Sequence, residues 1–241
     1  MDSHLKSNPR FLSRIAGLLY LVIIIFGISS ELLIRSRLIH AGDFPATAEA
    51  ILNFQGLFRV GFFADSIMCL SDVVLAVLLY FLLRPAGRIL ALAALFFRLT
   101  QTAVLALNLL NYHAAILLIN GDGYSSSMGP DQVRALSSFF LDLHSHGYDL
   151  GLLLFGVHCL ILGWLILKSG YFPRALGILV MAAGPVYLIG SYTRFLFPDL
   201  VTTIQPIYLI TIISELSLCL WLLLRGPDRR MWERATQLPP A

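Results

Sequence analysis

Long runs of apolar residues, separated by polar connectors, dominate this chain. Six runs are long enough for an α-helix to cross a bilayer, which takes about 20 residues for a hydrocarbon core of about 30 Å. They are residues 14–34, 60–83, 88–118, 147–167, 174–193 and 201–224. Because backbone groups in lipid must be hydrogen-bonded within the segment, each run is predicted to be a transmembrane helix.

The connectors add two predicted helices outside the spans. Residues 35–58 contain a turn followed by an amphipathic helix that continues toward the second span. Residues 119–146 begin with a Gly/Ser-rich loop, and the part after Pro130 is predicted to be a helix that leads into the fourth span. The short connectors 82–88 and 168–174 contain Pro and Gly, which mark tight turns.

The composition excludes a soluble or disordered protein. The chain of 241 residues is 58% hydrophobic and 13% charged, with a mean hydropathy of +0.80, whereas soluble domains carry about 25% charged residues. These charges are too few to cover a water-exposed surface. The sequence therefore predicts an all-α, polytopic transmembrane helix bundle that forms a single domain over residues 1–241, with the lipid bilayer as its first partner.

Basic residues are distributed unevenly between the two sides of the predicted bundle. One side holds eleven of the seventeen lysines and arginines: Lys6, Arg10, Arg14, Arg84, Arg88, Lys168, Arg174, Arg225, Arg229, Arg230 and Arg234. The positive-inside rule places this side in the cytoplasm. The first run is longer than the 7–15 apolar residues of a signal peptide and is predicted to stay as a span. Both termini are therefore predicted to be cytoplasmic.

Net charge and cysteines indicate no further class of partner. The net charge of +3 fits basic loops of a membrane protein, and no basic patch interleaves with aromatic residues, so no nucleic-acid partner is predicted. The cysteines, Cys69, Cys159 and Cys219, each lie within an apolar run and are predicted to be small core residues. The sequence specifies neither a cofactor nor an oligomeric state.

Charged side chains inside the spans are the main indication of a functional site, because a charge at the bilayer centre costs about 2.5–3.5 kcal/mol or more. With a rise of about 1.5 Å per residue, four residues are predicted near the midplane: Asp72, Arg98, His158 and Glu215. A second layer, displaced toward the outside, contains Glu31, Asp65, Asn108 and Asp149.

Helical periodicity places the polar residues of each span on one stripe, and packing these stripes inward predicts a polar cavity open to the outside. The candidate lining residues are Glu31, Asp65, Asp72, Arg98, Gln101, Asn108, His158, Tyr187 and Glu215. The first hypothesis is that this cavity binds or transports a small molecule or lipid, with His158 as a titratable neighbour of the midplane charges.

Two alternatives stay open. A membrane-embedded enzyme would use Asp65, Asp72, His144, His158 and Glu215, with or without a metal. In a structural or regulatory subunit, the ion pairs of Arg98 would only specify helix packing.

Metal ligands are sought at the outer end of the fourth span, where the candidates are His144, His146 and Asp149. Two helical residues that are two positions apart point about 160° from each other, so His144 and His146 make a poor chelate. No metal is predicted.

Several motifs of the chain resemble one family. They are "LDLH", "FGVHCLILGWL" and "SGYFPRALG", together with the segments that open the first span and cross the second and third. The family is the bacterial integral membrane family called domain of unknown function 4386, and the resemblance covers about residues 8–226. It implies a multi-helix protein of the bacterial inner membrane and no particular activity. The positions that match its pattern are Arg59, Asp65, Asp72, Arg98, Asn108, His144, His158 and Glu215.

Overall fold

The computed structural model describes residues 8–121 and 128–237. Lys6, which was predicted to belong to the basic side, lies outside these ranges. Within these ranges the fold is all-helical, with no strand. The α-helices are α1 (Pro9–Ser29), α2 (Ser36–Leu38), α3 (Phe44–Asn53), α4 (Gln55–Leu83), α5 (Arg88–Ile119), α6 (Pro130–Ser169), α7 (Arg174–Leu196), α8 (Val201–Ile204), α9 (Leu209–Leu224) and α10 (Arg229–Gln237).

Six helical segments are long and apolar enough to cross a membrane, which confirms the six predicted spans and the all-α fold class. They are Pro9–Leu38, Gln55–Ala86, Arg88–Ile119, Pro130–Ser169, Arg174–Leu196 and Pro198–Leu224. The helices are longer than the apolar runs because polar residues continue the same helix at its ends. The clearest case is α6, whose 40 residues begin at Pro130, as predicted, and continue through the fourth span.

Two spans contain local departures from the α-helix that the apolar pattern does not predict. In the first span, Ser30–Arg35 form a π-helical turn between α1 and α2. In the last span, Gln205–Tyr208 form a 3-10 turn between α8 and α9. Pro206 lies in this turn, and a proline interrupts an α-helix because it lacks the backbone N–H and clashes with the preceding turn. The last span is therefore not one uninterrupted helix.

Helix α3 is the amphipathic helix predicted in the first long connector. Its N-cap is Asp43, whose Oδ1 accepts a hydrogen bond of 2.9 Å from the backbone N–H of Ala46. Pro45 lies in the first turn, where no N–H is required. The buried face of the helix contains Ala48 and Ile51. Capping and the single apolar face explain why this short segment forms a helix.

The described residues form two compact units. Unit 1 contains 8–21, 71–102 and 149–237, and unit 2 contains 22–70, 103–121 and 128–148. In unit 1, α6 and α7 approach closely at glycines. A Cβ on Gly177 would lie 2.9 Å from the Gly163 carbonyl oxygen, and one on Gly184 would lie 2.8 Å from that of Gly156. Small residues of this kind allow membrane helices to pack at backbone contact.

The end of α4 and the helix α10 also meet in unit 1. The indole N–H of Trp232 donates to the Leu82 carbonyl oxygen at 3.1 Å, and the Tyr171 hydroxyl donates to the same oxygen at 3.0 Å. The backbone N–H of Asp228 donates to the Tyr171 carbonyl oxygen at 2.9 Å. Burial raises the pKa of the Tyr171 phenol, which keeps this donor protonated.

Unit 2 has its own apolar core. Its buried members include Ile34, Leu38, Ile51, Phe58, Tyr112, Ala115, Ile116 and Leu141. The rings of Phe58 and Tyr112 are stacked with centroids 4.0 Å apart, and the Tyr112 hydroxyl donates to the Phe58 carbonyl oxygen at 3.2 Å. The single-domain organisation expected from the sequence stays a prediction.

Candidate functional site

An arginine–aspartate pair lies at the centre of unit 1. Arg98 on α5 is 1% exposed, and its Nε and Nη2 donate to Oδ1 of Asp72 on α4 at 2.9 Å and 2.5 Å. The hydroxyl of Thr102 donates to the other carboxylate oxygen, Oδ2. Arg98 and Thr102 both reach Asp72 because residues four apart lie on one face of a helix. Both oxygens of this buried carboxylate are thus hydrogen-bonded.

His158 on α6 completes this cluster. Its Nε2 lies 3.1 Å from Arg98 Nη1, and its Nδ1 lies 2.8 Å from the Ala94 carbonyl oxygen. A guanidinium only donates and a carbonyl only accepts, so Nε2 must accept and Nδ1 must carry the proton. This arrangement occupies both ring nitrogens of a neutral imidazole. A second proton would set an N–H donor against the guanidinium, which argues against the titratable role suggested by the sequence.

Aromatic rings enclose the Arg98 guanidinium on its remaining sides. Its central carbon lies 5.3 Å from the centroid of the Tyr20 ring and 5.1 Å from that of Phe155. Cations are attracted to the faces of aromatic rings at such distances. The cluster of Asp72, Arg98 and His158 is therefore closed, charge-balanced and hydrogen-bonded on every side that carries charge.

Glu215 on α9 has a different environment. Its Oε1 accepts a hydrogen bond from the hydroxyl of Tyr187 on α7, and its side chain is only half-buried. Among residues 8–121 and 128–237, no lysine or arginine forms an ion pair with Glu215. A carboxyl group within a spanning helix thus has a neutral phenol as its direct partner.

Polar groups continue along α7 beyond Tyr187. Ser191, one turn further, is 0% exposed, and its hydroxyl oxygen has no hydrogen-bond partner among the described residues. Gly190 provides the space for the hydroxyl of Tyr208, which a Cβ at position 190 would overlap. Arg194, nearly one turn after Ser191, pairs with Asp149 of α6 at 3.3 Å.

Unsatisfied buried polar atoms are rare in proteins, and each one requires an explanation such as strain or a bound water or ion. Besides Ser191, the Oε1 atom of the buried Gln101 lacks a partner within the part of the chain that the structure describes. Gln101 precedes Thr102 on α5 and belongs to unit 1. Unit 1 thus contains two buried polar atoms, on α5 and on α7, that have no partner among the described residues.

Unit 2 contains a second arginine among carboxylates. Arg35, at the end of the π-helical turn, donates from Nε to Glu31 Oε2 at 2.7 Å and from Nη1 to Asp65 Oδ2 at 2.6 Å. The same Nη1 lies 3.0 Å from the hydroxyl oxygen of Ser30. Glu31 and Asp65 were predicted from their depth, and the structure brings them together on this guanidinium.

Asn108 has a packing contact in unit 2. Its Nδ2 donates to the His144 carbonyl oxygen at 2.6 Å, and Gly147 leaves room for the amide, which a Cβ there would overlap. The His144 ring is buried and lies 5.2 Å from the Tyr112 ring. These contacts join α5 to α6.

The candidate metal ligands have other partners. The Nδ1 atom of His146 lies 2.8 Å from the Asp142 carbonyl oxygen, and Asp149 pairs with Arg194. Across residues 8–121 and 128–237, no three His, Cys, Asp or Glu side chains are grouped so that they could hold a metal ion. The described residues therefore offer no ready ligand set to the metal-dependent alternative.

Sequence comparison defines the family of this chain. The family described as "Domain of unknown function (DUF4386)" matches residues 15–226. The chain belongs to this family. A protein of Archaeoglobus fulgidus, described only as uncharacterized, is 30% identical over 160 residues, which are 66% of this chain and 80% of the relative. No solved structure matches. All the candidate residues lie inside the part that matches the family.

The structure groups the candidate residues into separate sets. Asp72, Arg98 and His158 form the closed cluster, Glu215 pairs with Tyr187, and Glu31 and Asp65 share Arg35. The single cavity shared by all of them stays a prediction. Sequence reasoning missed Thr102 and the role of Arg35. Both follow a partner by four positions, Thr102 after Arg98 and Arg35 after Glu31, and this spacing was the available signal.

Proposed function

We propose that the protein binds and transports a small molecule or lipid within the membrane, and that Glu215 is the carboxyl group that contacts this ligand. The observation that carries the proposal is the environment of Glu215, a half-buried acid of a spanning helix whose direct partner is the phenol of Tyr187. Ionisable residues within spans commonly mark substrate and ion pathways.

Charge balance distinguishes Glu215 from the other acid near the predicted midplane. Asp72 has an arginine in direct contact, together with the hydroxyl of Thr102, so its charge is fully compensated within the protein. The Tyr187 hydroxyl supplies one hydrogen bond to Glu215 and no charge. A proton, or a polar group of a ligand, can supply the remaining compensation. The Ser191 hydroxyl, one turn after Tyr187 on α7 and without a partner among the described residues, offers a further hydrogen bond to such a ligand.

Native mass spectrometry of the purified full-length chain tests this function. We expect a small molecule or lipid to remain bound to the wild-type protein and to be lost in Glu215→Gln and weakened in Tyr187→Phe. The matched control is Glu233→Gln, which makes the same change in an exposed glutamate of α10 that pairs with Arg229. Equal ligand retention in Glu215→Gln and in wild type would refute the role of Glu215.

The bilayer and the orientation belong to the same proposal. We infer a multi-pass protein of the bacterial cytoplasmic membrane with both termini in the cytoplasm, supported by the excess of basic residues on one side. A reporter inserted after Gly121 should give an external signal, and a reporter fused to the C-terminus should give a cytoplasmic one. A cytoplasmic signal from the Gly121 insertion would reverse the orientation.

The closed Arg98 cluster favours a second, structural role for part of the site. Its charges face each other and its polar atoms are satisfied, so we propose that Asp72, Arg98 and His158 fix the packing of α4, α5 and α6. The double variant Asp72→Asn/Arg98→Gln should then retain the co-purifying ligand while unfolding more easily. Loss of the ligand from a stable double variant would assign the cluster to binding instead.

A further inference from the structure

The cluster around Arg35 has more acid than base. One guanidinium contacts two carboxylates, Glu31 at 2.7 Å and Asp65 at 2.6 Å. With both acids ionised, the three side chains carry a net charge of about −1. The corresponding cluster around Arg98 contains one carboxylate and is neutral.

One oxygen of Asp65 is unsatisfied as well as buried. Asp65 is 2% exposed, and its Oδ1 has no hydrogen-bond partner among residues 8–121 and 128–237. Burying a carboxylate oxygen without a partner costs more free energy than burying a neutral group in the same way. A positively charged hydrogen-bond donor next to Oδ1 of Asp65 would therefore balance the charge and also satisfy this oxygen.

We propose that this cluster binds a primary ammonium group. An ammonium nitrogen carries one positive charge and three N–H donors and has no acceptor. It balances the surplus charge, donates to Oδ1 of Asp65, and donates to the carboxylate of Glu31, whose side chain is 63% exposed and reachable from outside the unit. The proposal does not depend on Glu215, which belongs to the other unit.

The number of ligands favours an ammonium group over a metal ion. Structural zinc sites use about four protein ligands and calcium sites about six to eight oxygen ligands, and the described residues contain no group of three His, Cys, Asp or Glu that could hold a metal. Here two carboxylates already share one guanidinium. An ammonium group needs only two or three acceptors, which matches the oxygens present.

The π-helical turn explains how one arginine reaches these groups. A π-helix pairs residues five apart, and Ser30 and Arg35 are its first and last members. The Arg35 guanidinium contacts Ser30, Glu31 and Asp65 at once. π-helical turns often occur at functional sites, because they reorient side chains within an otherwise regular helix.

Thermal unfolding of the full-length protein in detergent, with methylammonium chloride as the probe, tests the proposal. Methylammonium should raise the melting temperature in a saturable manner, because a ligand that binds only the folded state stabilises it. Sodium, potassium and tetramethylammonium chloride at the same concentrations should not do so, since none of these cations has an N–H donor. An equal effect of all four salts would show a general salt effect, and no effect of methylammonium would leave a proton as the balancing charge; either result overturns the proposal.

Two variants locate the effect. Glu31→Gln and Asp65→Asn should each raise the half-saturating methylammonium concentration by about tenfold, as expected for a lost charged hydrogen bond. The matched control is Asp131→Asn, since Asp131 is an exposed acid of unit 2 that pairs with Arg134 at 3.3 Å. Glu31 is exposed, so its variant gives a result even where Asp65→Asn fails to fold. An unchanged half-saturating concentration in Glu31→Gln would place the amine elsewhere and overturn the assignment.

A lipid headgroup and a free amine can both supply a primary ammonium group. Nanodiscs of different lipid composition distinguish the two sources. Phosphatidylethanolamine has a primary ammonium group, whereas phosphatidylcholine has a quaternary one without N–H donors. We compare nanodiscs of phosphatidylethanolamine and phosphatidylglycerol with nanodiscs of phosphatidylcholine and phosphatidylglycerol. A headgroup ligand is supported if the melting temperature is higher in the former and if Glu31→Gln abolishes this difference. Methylammonium stabilisation without this lipid preference supports a free amine.

Discussion

Among the described residues, each of the two units contains an arginine that contacts a buried aspartate, and the two clusters differ in how their charges are balanced. Around Arg98, one carboxylate, one hydroxyl and one neutral imidazole satisfy the guanidinium and leave no surplus charge. Around Arg35, two carboxylates compete for one guanidinium, and an oxygen of Asp65 is left without a partner.

The difference separates two properties of a charged residue, its burial within the protein and the completeness of its charge compensation. Arg98 and Asp72 are deeply buried, yet their complete mutual compensation indicates a packing element. Glu31 is exposed, yet it belongs to the cluster whose chemistry is incomplete. Incomplete compensation, at Arg35 and at Glu215, is the property on which both proposed binding sites rest.

The largest effect is expected from Arg98→Gln, which leaves the Asp72 carboxylate buried without its cation. Breaking a buried ion pair by removing one partner costs about 3–5 kcal/mol, so the free energy of unfolding in detergent should fall by about that amount. Arg229→Gln, in the exposed pair with Glu233, is the matched control and should change it little. A loss below about 1 kcal/mol for Arg98→Gln would remove the packing role of this cluster.

A smaller loss is expected from Arg35→Gln. This change leaves Asp65 buried without its cation, but the side chain of Arg35 is 11% exposed and that of Arg98 only 1%. The free energy of unfolding should therefore fall by about 2–3 kcal/mol. Arg134→Gln, in an exposed pair of the same unit, serves as the control. Denaturant titration of both variants measures the difference. Equal destabilisation by Arg35→Gln and Arg98→Gln would contradict the expected difference in stability contribution between the two clusters.

Thr102→Val tests whether the buried Asp72 carboxylate needs the hydrogen bond from the Thr102 hydroxyl in addition to the Arg98 guanidinium. Removing a hydrogen bond to a buried carboxylate should cost about 1.5 kcal/mol, measured as the change in free energy of unfolding. Thr102→Ser keeps the hydroxyl and should restore most of the stability. Valine and serine variants of equal stability would show that Asp72 does not need this donor.

The smallest effect is expected from Glu31→Gln. The ion pair of Glu31 with Arg35 is partly exposed, and such pairs contribute about 0.2–1 kcal/mol. Removal of the surplus negative charge opposes this loss, so the free energy of unfolding should change by less than about 0.5 kcal/mol. Thermal unfolding without added amine measures it. A loss as large as that of Arg35→Gln would mean that Glu31, like Asp65, is an integral part of the packing.

The spans were predictable from the sequence because bilayer thickness fixes the length of an apolar run. The interruption near Pro206 was not, since the segment around it is apolar enough to pass as one span. The π-helical turn was not predictable either, because Ser30–Arg35 carry no proline and continue the apolar run with one acid at Glu31.

The candidate site was predictable in its residue types but not in its partners. Counting residues along the spans identified Asp72, Arg98 and Glu215, because charge is rare in apolar runs. It assigned Arg35 to a connector, since this residue follows the last apolar position of the first run. Which acid meets which cation depends on helix rotation and on side-chain packing, and these emerge only in the folded structure.

The glycine contacts between α6 and α7 constrain how this molecule can move. Gly163, Gly177 and their counterparts bring the two backbones into direct contact, so a larger side chain at these positions would force the two helices apart. At the C-terminal end of α9, a Cβ on Gly17 would lie 2.5 Å from the backbone nitrogen of Leu223, so this end of α9 packs directly against α1. Any movement that separates Glu215 from Tyr187 would therefore have to displace the part of α9 that lies between this contact and the 3-10 turn at Pro206.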